Sequence, residues 1–201
     1  MITLSHPLVF IRHGQTDWNK QGRMQGGQNI PINQTGRDQA RRNGRRLKDL
    51  FEETGYALES FRFVSSPLDR CLETMGLVRK ELDLSPNTGF DHDECLKEIT
   101  FGLWEGNTIG ELRETDRRAV EAREADKWGY IPPRGESYAM LWDRIRPWLE
   151  SLNEPTVAVS HGGVSRVVRG LLFGLPNDEV PVLDVPQDKL YFVEDGQGYW
   201  L

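Results

Sequence analysis

Leu8-Val9-Phe10-Ile11 runs directly into Arg12-His13-Gly14 near the beginning of this chain. Four consecutive apolar residues, two of them β-branched, predict a strand that is buried on both faces. The three residues that follow provide a permanent cation, an imidazole that can act as a nucleophile, and a glycine that lets backbone come close to a ligand. Because ligands of open α/β sheets bind at the carboxyl ends of strands, this junction predicts an oxyanion site. An exposed loop with a chance Arg-His pair is the alternative.

Two further junctions place cationic or titratable side chains at strand ends. An apolar run ends in Ser65-Ser66-Pro67-Leu68-Asp69-Arg70, where Ser66 is expected to cap a helix that carries Arg70 in its first turn. A third buried-strand pattern, Thr156–Ser160, is followed by His161-Gly162-Gly163. Because these strand ends are expected at one edge of a sheet, the sequence predicts a cluster of four side chains there: Arg12, His13, Arg70 and His161.

The apolar patterns alternate between strands and helices along the chain. Strands are predicted at Val9–Ile11, Phe61–Ser65 and Thr156–Ser160, with an edge hairpin from Lys189 to Trp200. Helices are predicted at Gly36–Phe51, Pro67–Leu82, Ser137–Leu152 and Val164–Phe173. This alternation predicts an α/β fold in which a mostly parallel central sheet carries helices on both faces.

The segment Asn107–Pro133 differs from the rest because it is rich in charge and weak in apolar periodicity. We expect residues 103–135 to form a helical cap that is inserted over the strand ends, within a single domain spanning residues 1–201. Trp104, Trp128 and Tyr130 flank this segment. These aromatic residues could pack the cap against the core or contact a substrate directly, and the sequence leaves both roles open.

Length and composition indicate one compact, globular domain. The chain has 201 residues, 37% of them hydrophobic, and a net charge of -6, which argues against general affinity for nucleic acid. No apolar run has the length of a membrane span and no signal peptide is evident, so a cytoplasmic location is expected. Cys71 and Cys95 are expected to be reduced, and their spacing does not resemble a zinc site. The arginines between 37 and 46 predict a solvated helix face.

The sequence resembles the histidine phosphatase superfamily, which contains the cofactor-dependent phosphoglycerate mutases and many phosphomonoesterases. The resemblance extends from Val9 to about Leu172. It rests on motifs in the family's order: Arg12-His13-Gly14, Asn19, Gln25-Gly26, Ile30-Pro31-Ile32, Gly36, Gln39-Ala40, Ser65-Ser66-Pro67-Leu68, Arg70, Glu98, Phe101-Gly102, Trp104-Glu105-Gly106, Gly135-Glu136-Ser137 and Ser160-His161-Gly162. Asn29 is a departure, since the family often has an acid there, and it puts one local turn contact in doubt.

The residue types suit phosphoryl transfer without a metal ion. Arg12, Arg70 and a protonated His161 would neutralise a phosphate dianion, which other phosphatases do with metals. Neutral His13 would attack phosphorus and form a phosphohistidine. Spacing alone cannot rank Glu94, Glu98 and Glu105 as the general acid, whereas the resemblance selects Glu98. The resemblance also implies four phosphate-binding residues: Asn19, Gln25, Gly26 and Gly162.

Three functions follow from these observations. The first is a metal-independent phosphomonoesterase that acts on a small phosphorylated metabolite and needs no cofactor. The second is a phosphoglycerate mutase, which would use 2,3-bisphosphoglycerate. The family's mutases have Glu-Arg-His-Tyr-Gly where this chain has Glu98-Ile99-Thr100-Phe101-Gly102, and they are longer, which favours hydrolysis. The third is a non-catalytic phosphate-binding protein. No nucleic-acid or membrane partner is expected, a homodimer is compatible with the sequence, and the substrate cannot be read from it.

Overall fold

Six strands form one sheet in this computed structural model, which describes residues 1–201. The strands are β1 (Leu8–Arg12), β2 (Arg62–Ser65), β3 (Asp91–His92), β4 (Thr156–Ser160), β5 (Leu190–Glu194) and β6 (Gln197–Trp200), in the spatial order β3-β2-β4-β1-β5-β6. The first four strands of that order are parallel, and β5 and β6 add an antiparallel edge. The prediction of a mostly parallel sheet with an edge hairpin is confirmed.

The register of the sheet brings the carboxyl ends of β1, β2 and β4 to one edge. Arg12 lies opposite Ser160, and Ser65 lies opposite Val159. The backbone pairing continues one residue beyond two of these strands, since the His13 amide donates to the Ser160 carbonyl at 2.9 Å and the Ser66 amide donates to the Val159 carbonyl at 2.9 Å. The backbone therefore fixes where the side chains at this edge can lie.

Seven α-helices surround the sheet. They are α1 (Asp17–Lys20), α2 (Gln34–Thr54), α3 (Asp69–Glu81), α4 (Ile109–Thr115), α5 (Arg117–Ala125), α6 (Tyr138–Glu150) and α7 (Gly162–Phe173). Alternate residues of β1 face opposite sides of the sheet. Leu8 and Phe10 pack with α6 and α7, whereas Val9 and Ile11 pack with α2 and α3. Both faces of the sheet are thus covered, as predicted. None of the helices combines the length and apolarity that crossing a membrane requires.

All four predicted helices begin one or two residues away from the predicted start, and two of these starts lie beside the carboxyl ends of strands. Helix α3 begins at Asp69 rather than Pro67, and the residue before it, Leu68, makes no side-chain cap. Asn29 acts as the cap instead, because its Oδ1 accepts from the Asp69 amide at 2.9 Å. The Ser66 hydroxyl instead lies 2.8 Å from His161 Nε2. Helix α7 begins at Gly162 rather than Val164, because His161 has the extended backbone of an N-cap residue and the helix starts directly after it.

The predicted cap range contains α4 and α5. Trp104 stacks on Tyr130 with ring centroids 5.4 Å apart, and it packs with two buried side chains of these helices, Leu112 and Val120. Trp128 lies edge-on to Trp142, at 5.3 Å between centroids. The three aromatic residues therefore have packing roles. That residues 103–135 act as a cap, within one domain, stays a prediction.

Candidate active site

A cavity of about 400 Å³ opens at the edge where β1 and β4 end. Its lining contains only two hydrophobic residues, Met24 and Phe101. The remaining lining residues are Arg12, His13, Asn19, Gly22, Arg23, Gln25, Gly26, Glu98, Gly162 and Arg166. The structure thus brings seven of the nine residues expected in the site into one lining, and Arg70 and His161 lie buried beside it. A second groove of similar volume, beside Leu72 and Phe90, contains none of them.

His13 is held as a neutral imidazole with one fixed tautomer. The side chain is only 2% exposed, and Nδ1 donates to the Gly14 carbonyl at 2.8 Å. Burial, together with the positive charges of Arg70 and Arg12, lowers the pKa of His13 well below its usual value of 6.5. Because the proton sits on Nδ1, the lone pair of Nε2 is available as a nucleophile.

Arg12 and Arg70 are cations without a carboxylate partner. Arg12 donates from Nη1 to the Val185 carbonyl at 2.7 Å. Arg70, which is fully buried, donates from its two terminal nitrogens to the carbonyls of Gln28 and Gly26, at 2.6 and 2.8 Å. In both residues the buried Nε has no hydrogen-bond partner. Backbone carbonyls orient these guanidinium groups but leave their charge uncompensated, which is the arrangement that an anion site requires.

Burial and nearby positive charge favour the neutral form of His161, so the protonated form that is expected to bind phosphate depends on the bound dianion. Burial is the main cause that lowers its pKa well below 6.5, and the charge of Arg70 adds to it. Its Nε2 lies 2.8 Å from the Ser66 hydroxyl and 3.4 Å from Cys71 Sγ, and its ring centroid lies 5.2 Å from that of His13. A bound phosphate dianion would raise this pKa again, because opposite charge favours the protonated form.

Glu98 is the one acid that lines the cavity. Its Oε1 accepts from the amides of Gly163, at 3.0 Å, and Ile99, at 3.1 Å. The two rival acids lie elsewhere. Glu94 is exposed and pairs with Lys97 at 2.6 Å. Glu105 accepts from the Gly27 amide at 2.9 Å and so stabilises the loop beside the cavity that contains Gly27. Geometry therefore separates the three candidates that spacing left equal.

The four residues expected to bind phosphate lie around the cavity in different settings. Asn19 and Gln25 are tied to the turn before α1, since the Thr16 amide donates to Asn19 Oδ1 at 3.1 Å and the Thr16 hydroxyl donates to Gln25 Oε1 at 2.7 Å. Gly26 has a φ of +51°, and a Cβ there would collide with the Glu105 carboxylate, so only glycine fits. Gly162 is the first residue of α7 and lies against the Arg12 guanidinium.

Sequence reasoning missed several residues of the site. Arg166 and Arg23 line the cavity, and Gln187 donates to the His13 carbonyl at 3.0 Å and to Asn19 Oδ1 at 3.1 Å. Arg166 had a detectable signal, because it follows Gly162 by one helical turn and therefore lies on the same side of α7. Gln187 and Val185 had none, since they lie in a segment without periodicity and contact the site through tertiary folding.

The fold and the cavity place two histidines, together with two arginines that have no carboxylate partner, near the carboxyl ends of parallel strands, which suits the binding of an oxyanion. The sequence profile described as "Histidine phosphatase superfamily (branch 1)" matches residues 8–200 of this chain. The chain belongs to this family.

Known relatives include phosphatases of different substrates. The chain is 32% identical to a glucosyl-3-phosphoglycerate phosphatase of Mycolicibacterium vanbaalenii, over 88% of this chain and 78% of that protein. It is 28% identical to a 6-phosphofructo-2-kinase/fructose-2,6-bisphosphatase of Caenorhabditis elegans, over 93% of this chain but only 38% of that longer protein. A mycobacterial glucosyl-3-phosphoglycerate phosphatase in complex with VO3 superposes with a TM-score of 0.78 and 26% identity, covering 98% of this chain and 96% of that one. The phosphatases among these relatives support a phosphatase activity for this chain.

Proposed function

We propose that this protein is a phosphomonoesterase that hydrolyses a small phosphorylated metabolite through a phosphohistidine on His13. One observation carries this function: a buried imidazole with a free Nε2 lies near two guanidinium groups that are held by backbone carbonyls rather than by carboxylates. Such a site lacks only a dianion to balance its charge. Turnover would need no metal ion or other cofactor, and the protein would act in the cytoplasm.

In the first half of the reaction, His13 Nε2 attacks phosphorus in line with the ester oxygen. The P–N bond forms as the P–O bond breaks, and the leaving oxygen takes a proton from the Glu98 carboxyl group. Arg12 and Arg70 stabilise the charge on the non-bridging oxygens. His161 gains a proton when the dianion binds, so it adds positive charge during the reaction rather than before it.

In the second half, water attacks the phosphohistidine and gives its proton to the Glu98 carboxylate. The P–N bond breaks, phosphate leaves, and His13 Nε2 recovers its lone pair. The Nδ1 bond to the Gly14 carbonyl holds the ring in place through both halves. The enzyme thus returns to its starting protonation state.

The test is a panel of phosphomonoesters assayed by phosphate release, with and without 2,3-bisphosphoglycerate. We expect release without the bisphosphate, and no release by His13→Ala protein, while an exposed control, His92→Ala, keeps the wild-type rate. Interconversion of phosphoglycerates only in the presence of the bisphosphate would identify a mutase instead. Phosphate binding without turnover of any ester would show that the site is not catalytic.

A further inference from the structure

Gln187 contacts two residues that line the cavity, and the reaction above does not use it. It lies on the segment between α7 and β5. Its side-chain Nε2 lies 3.0 Å from the His13 carbonyl oxygen and 3.1 Å from Asn19 Oδ1. One amide group thus connects the backbone of the nucleophile with a side chain of the lining.

The segment that carries Gln187 is fixed by contacts from several directions. Two of its backbone carbonyls, those of Leu183 and Val185, each accept from an arginine that lines the cavity, at 2.7 Å. The Gln187 carbonyl accepts from Nδ2 of Asn43, a buried residue of α2, at 3.1 Å. The Gln187 side chain is therefore held in place before a ligand binds, which spares the binding step the cost of ordering it.

Hydrogen-bond chemistry determines which end of the Gln187 amide faces these two oxygens. A backbone carbonyl only accepts hydrogen bonds, so the atom that faces the His13 carbonyl must be the Nε2 donor. The NH2 group of Gln187 has two protons, so the same nitrogen can also donate to Asn19. The atom of Asn19 that lies next to this donor is accordingly Oδ1, which is an acceptor.

A second donor supports the same orientation of the Asn19 amide. The Thr16 backbone amide, which can only donate, lies 3.1 Å from Asn19 Oδ1, so this oxygen accepts from two donors. The Nδ2 group of Asn19 makes no hydrogen bond within the protein. Because Asn19 lines the same cavity as His13, its NH2 group is available to donate to an oxygen of a bound anion.

We propose that Gln187 is a positioning residue, which holds the Asn19 amide so that its Nδ2 donor faces a phosphate group bound at His13. Without Gln187, only the Thr16 amide would oppose the rotation that turns the acceptor oxygen of Asn19 toward the anion. This role rests on the proposed binding of phosphate at His13. It goes beyond the proposed reaction, because Gln187 acts through Asn19 and does not itself contact the phosphate.

A double-mutant cycle on phosphate affinity tests this role. The proteins are wild type, Gln187→Met, Asn19→Ala and the double variant. The probe is inorganic phosphate, whose dissociation constant is measured by calorimetry. Methionine is close to glutamine in length, is uncharged and cannot donate a hydrogen bond. Gln197→Met is the matched control, because Gln197 is exposed on β6 and does not line the cavity.

We expect Gln187→Met to weaken phosphate binding about 10-fold, as for the loss of one hydrogen bond to a charged group, while Gln197→Met leaves it unchanged. Adding Gln187→Met to Asn19→Ala should weaken binding no further, because no amide is then left to orient. An unchanged affinity of the folded Gln187→Met protein would overturn the role. Losses that multiply in the double variant would also overturn it, because Gln187 would then act independently of Asn19.

Steady-state kinetics separates this role from a purely structural one. Gln187→Met should raise KM for a phosphomonoester by about the factor found for phosphate affinity and change kcat less, whereas a decrease in kcat alone would contradict the role. If a melting curve shows Gln187→Met to be unfolded, Gln187→Asn, whose amide is one methylene shorter, replaces it with the same expected outcomes. If wild type hydrolysed no phosphomonoester, the proposed reaction would fail, yet the calorimetric cycle would still test Gln187.

Discussion

Replacing either buried histidine should make the protein less sensitive to mild acid. His13 and His161 are 2% and 0% exposed, and both have pKa values well below 6.5. An unfolded chain binds a proton on each imidazole as the pH falls through 6.5, whereas the folded chain does not. The folded state therefore has its full stability above this pH and loses it as the pH decreases.

The size of the effect follows from this difference in bound protons. Each histidine that is neutral when folded and protonated when unfolded costs about 1.4 kcal/mol per pH unit below its unfolded pKa. Between about pH 6.5 and pH 5 this amounts to at most roughly 2 kcal/mol for one histidine and at most roughly 4 kcal/mol for two, the limit at which neither folded imidazole takes up a proton. These values are a large fraction of the 5–15 kcal/mol by which domains are typically stable.

The pH dependence of the unfolding free energy is measured by urea unfolding at several pH values between 7.5 and 5. The proteins compared are wild type, His13→Asn and His161→Asn. Each variant has its own stability at neutral pH, so the quantity compared is the loss of unfolding free energy on acidification. We expect each variant to lose less unfolding free energy than wild type, by up to roughly 2 kcal/mol. His92→Asn is the control, because His92 is exposed on the edge strand and should behave like wild type.

If the unfolding free energy decreased equally with pH in all four proteins, the electrostatic description of the site would be refuted. Such a result would mean that the folded protein takes up protons on His13 and His161 as readily as the unfolded chain does. In that case burial and the charges of Arg70 and Arg12 would not keep His13 neutral below pH 6.5.

Three further predictions concern the reaction. Glu98→Gln should reduce the turnover of an alkyl phosphate by roughly 10²–10⁴-fold. It should slow the phosphorylation of His13 by p-nitrophenyl phosphate much less, because nitrophenolate leaves without a proton. Equal losses of rate on both substrates would mean that Glu98 has a structural role. Arg144→Gln should reduce the turnover of the alkyl phosphate about 10-fold and that of p-nitrophenyl phosphate less. The reason is that Arg144 donates to the carbonyls of Cys95 and Lys97 and so positions the segment that carries Glu98. Activity should persist in EDTA, and vanadate should inhibit it, because the trigonal-bipyramidal form of vanadate mimics the transition state of in-line attack. Activity that is lost in EDTA and restored by zinc or magnesium would indicate a different reaction class.

The sequence predicts the sheet, and the edge of the sheet that carries the site residues, because both depend on local patterns. The apolar run at Leu8–Ile11 and the pattern at Thr156–Ser160 are strands, and the side chains that follow them lie at one edge. The helix boundaries were less predictable, since they depend on contacts from distant segments. Asn29, forty residues before Asp69, supplies the cap that Ser66 was expected to make.

The protonation state of His161 could not be predicted from residue type. A histidine near a phosphate site is expected to be cationic, but burial beside Arg70 makes the neutral form more stable until an anion arrives. The segment that orients the arginines was equally invisible, because Leu183 and Val185 act through backbone carbonyls. Any side chain could have occupied those positions without changing the sequence pattern of the site.

The central claim is tested most directly by trapping the covalent intermediate. Glu98→Gln protein is mixed with p-nitrophenyl phosphate, quenched in alkali within one turnover, digested, and its peptides are mapped by mass spectrometry. We predict one phosphate per chain on His13, stable in alkali and lost in acid, together with a burst of nitrophenolate of matching size. Phosphate on another residue, or wild-type turnover by His13→Ala protein, would contradict the mechanism.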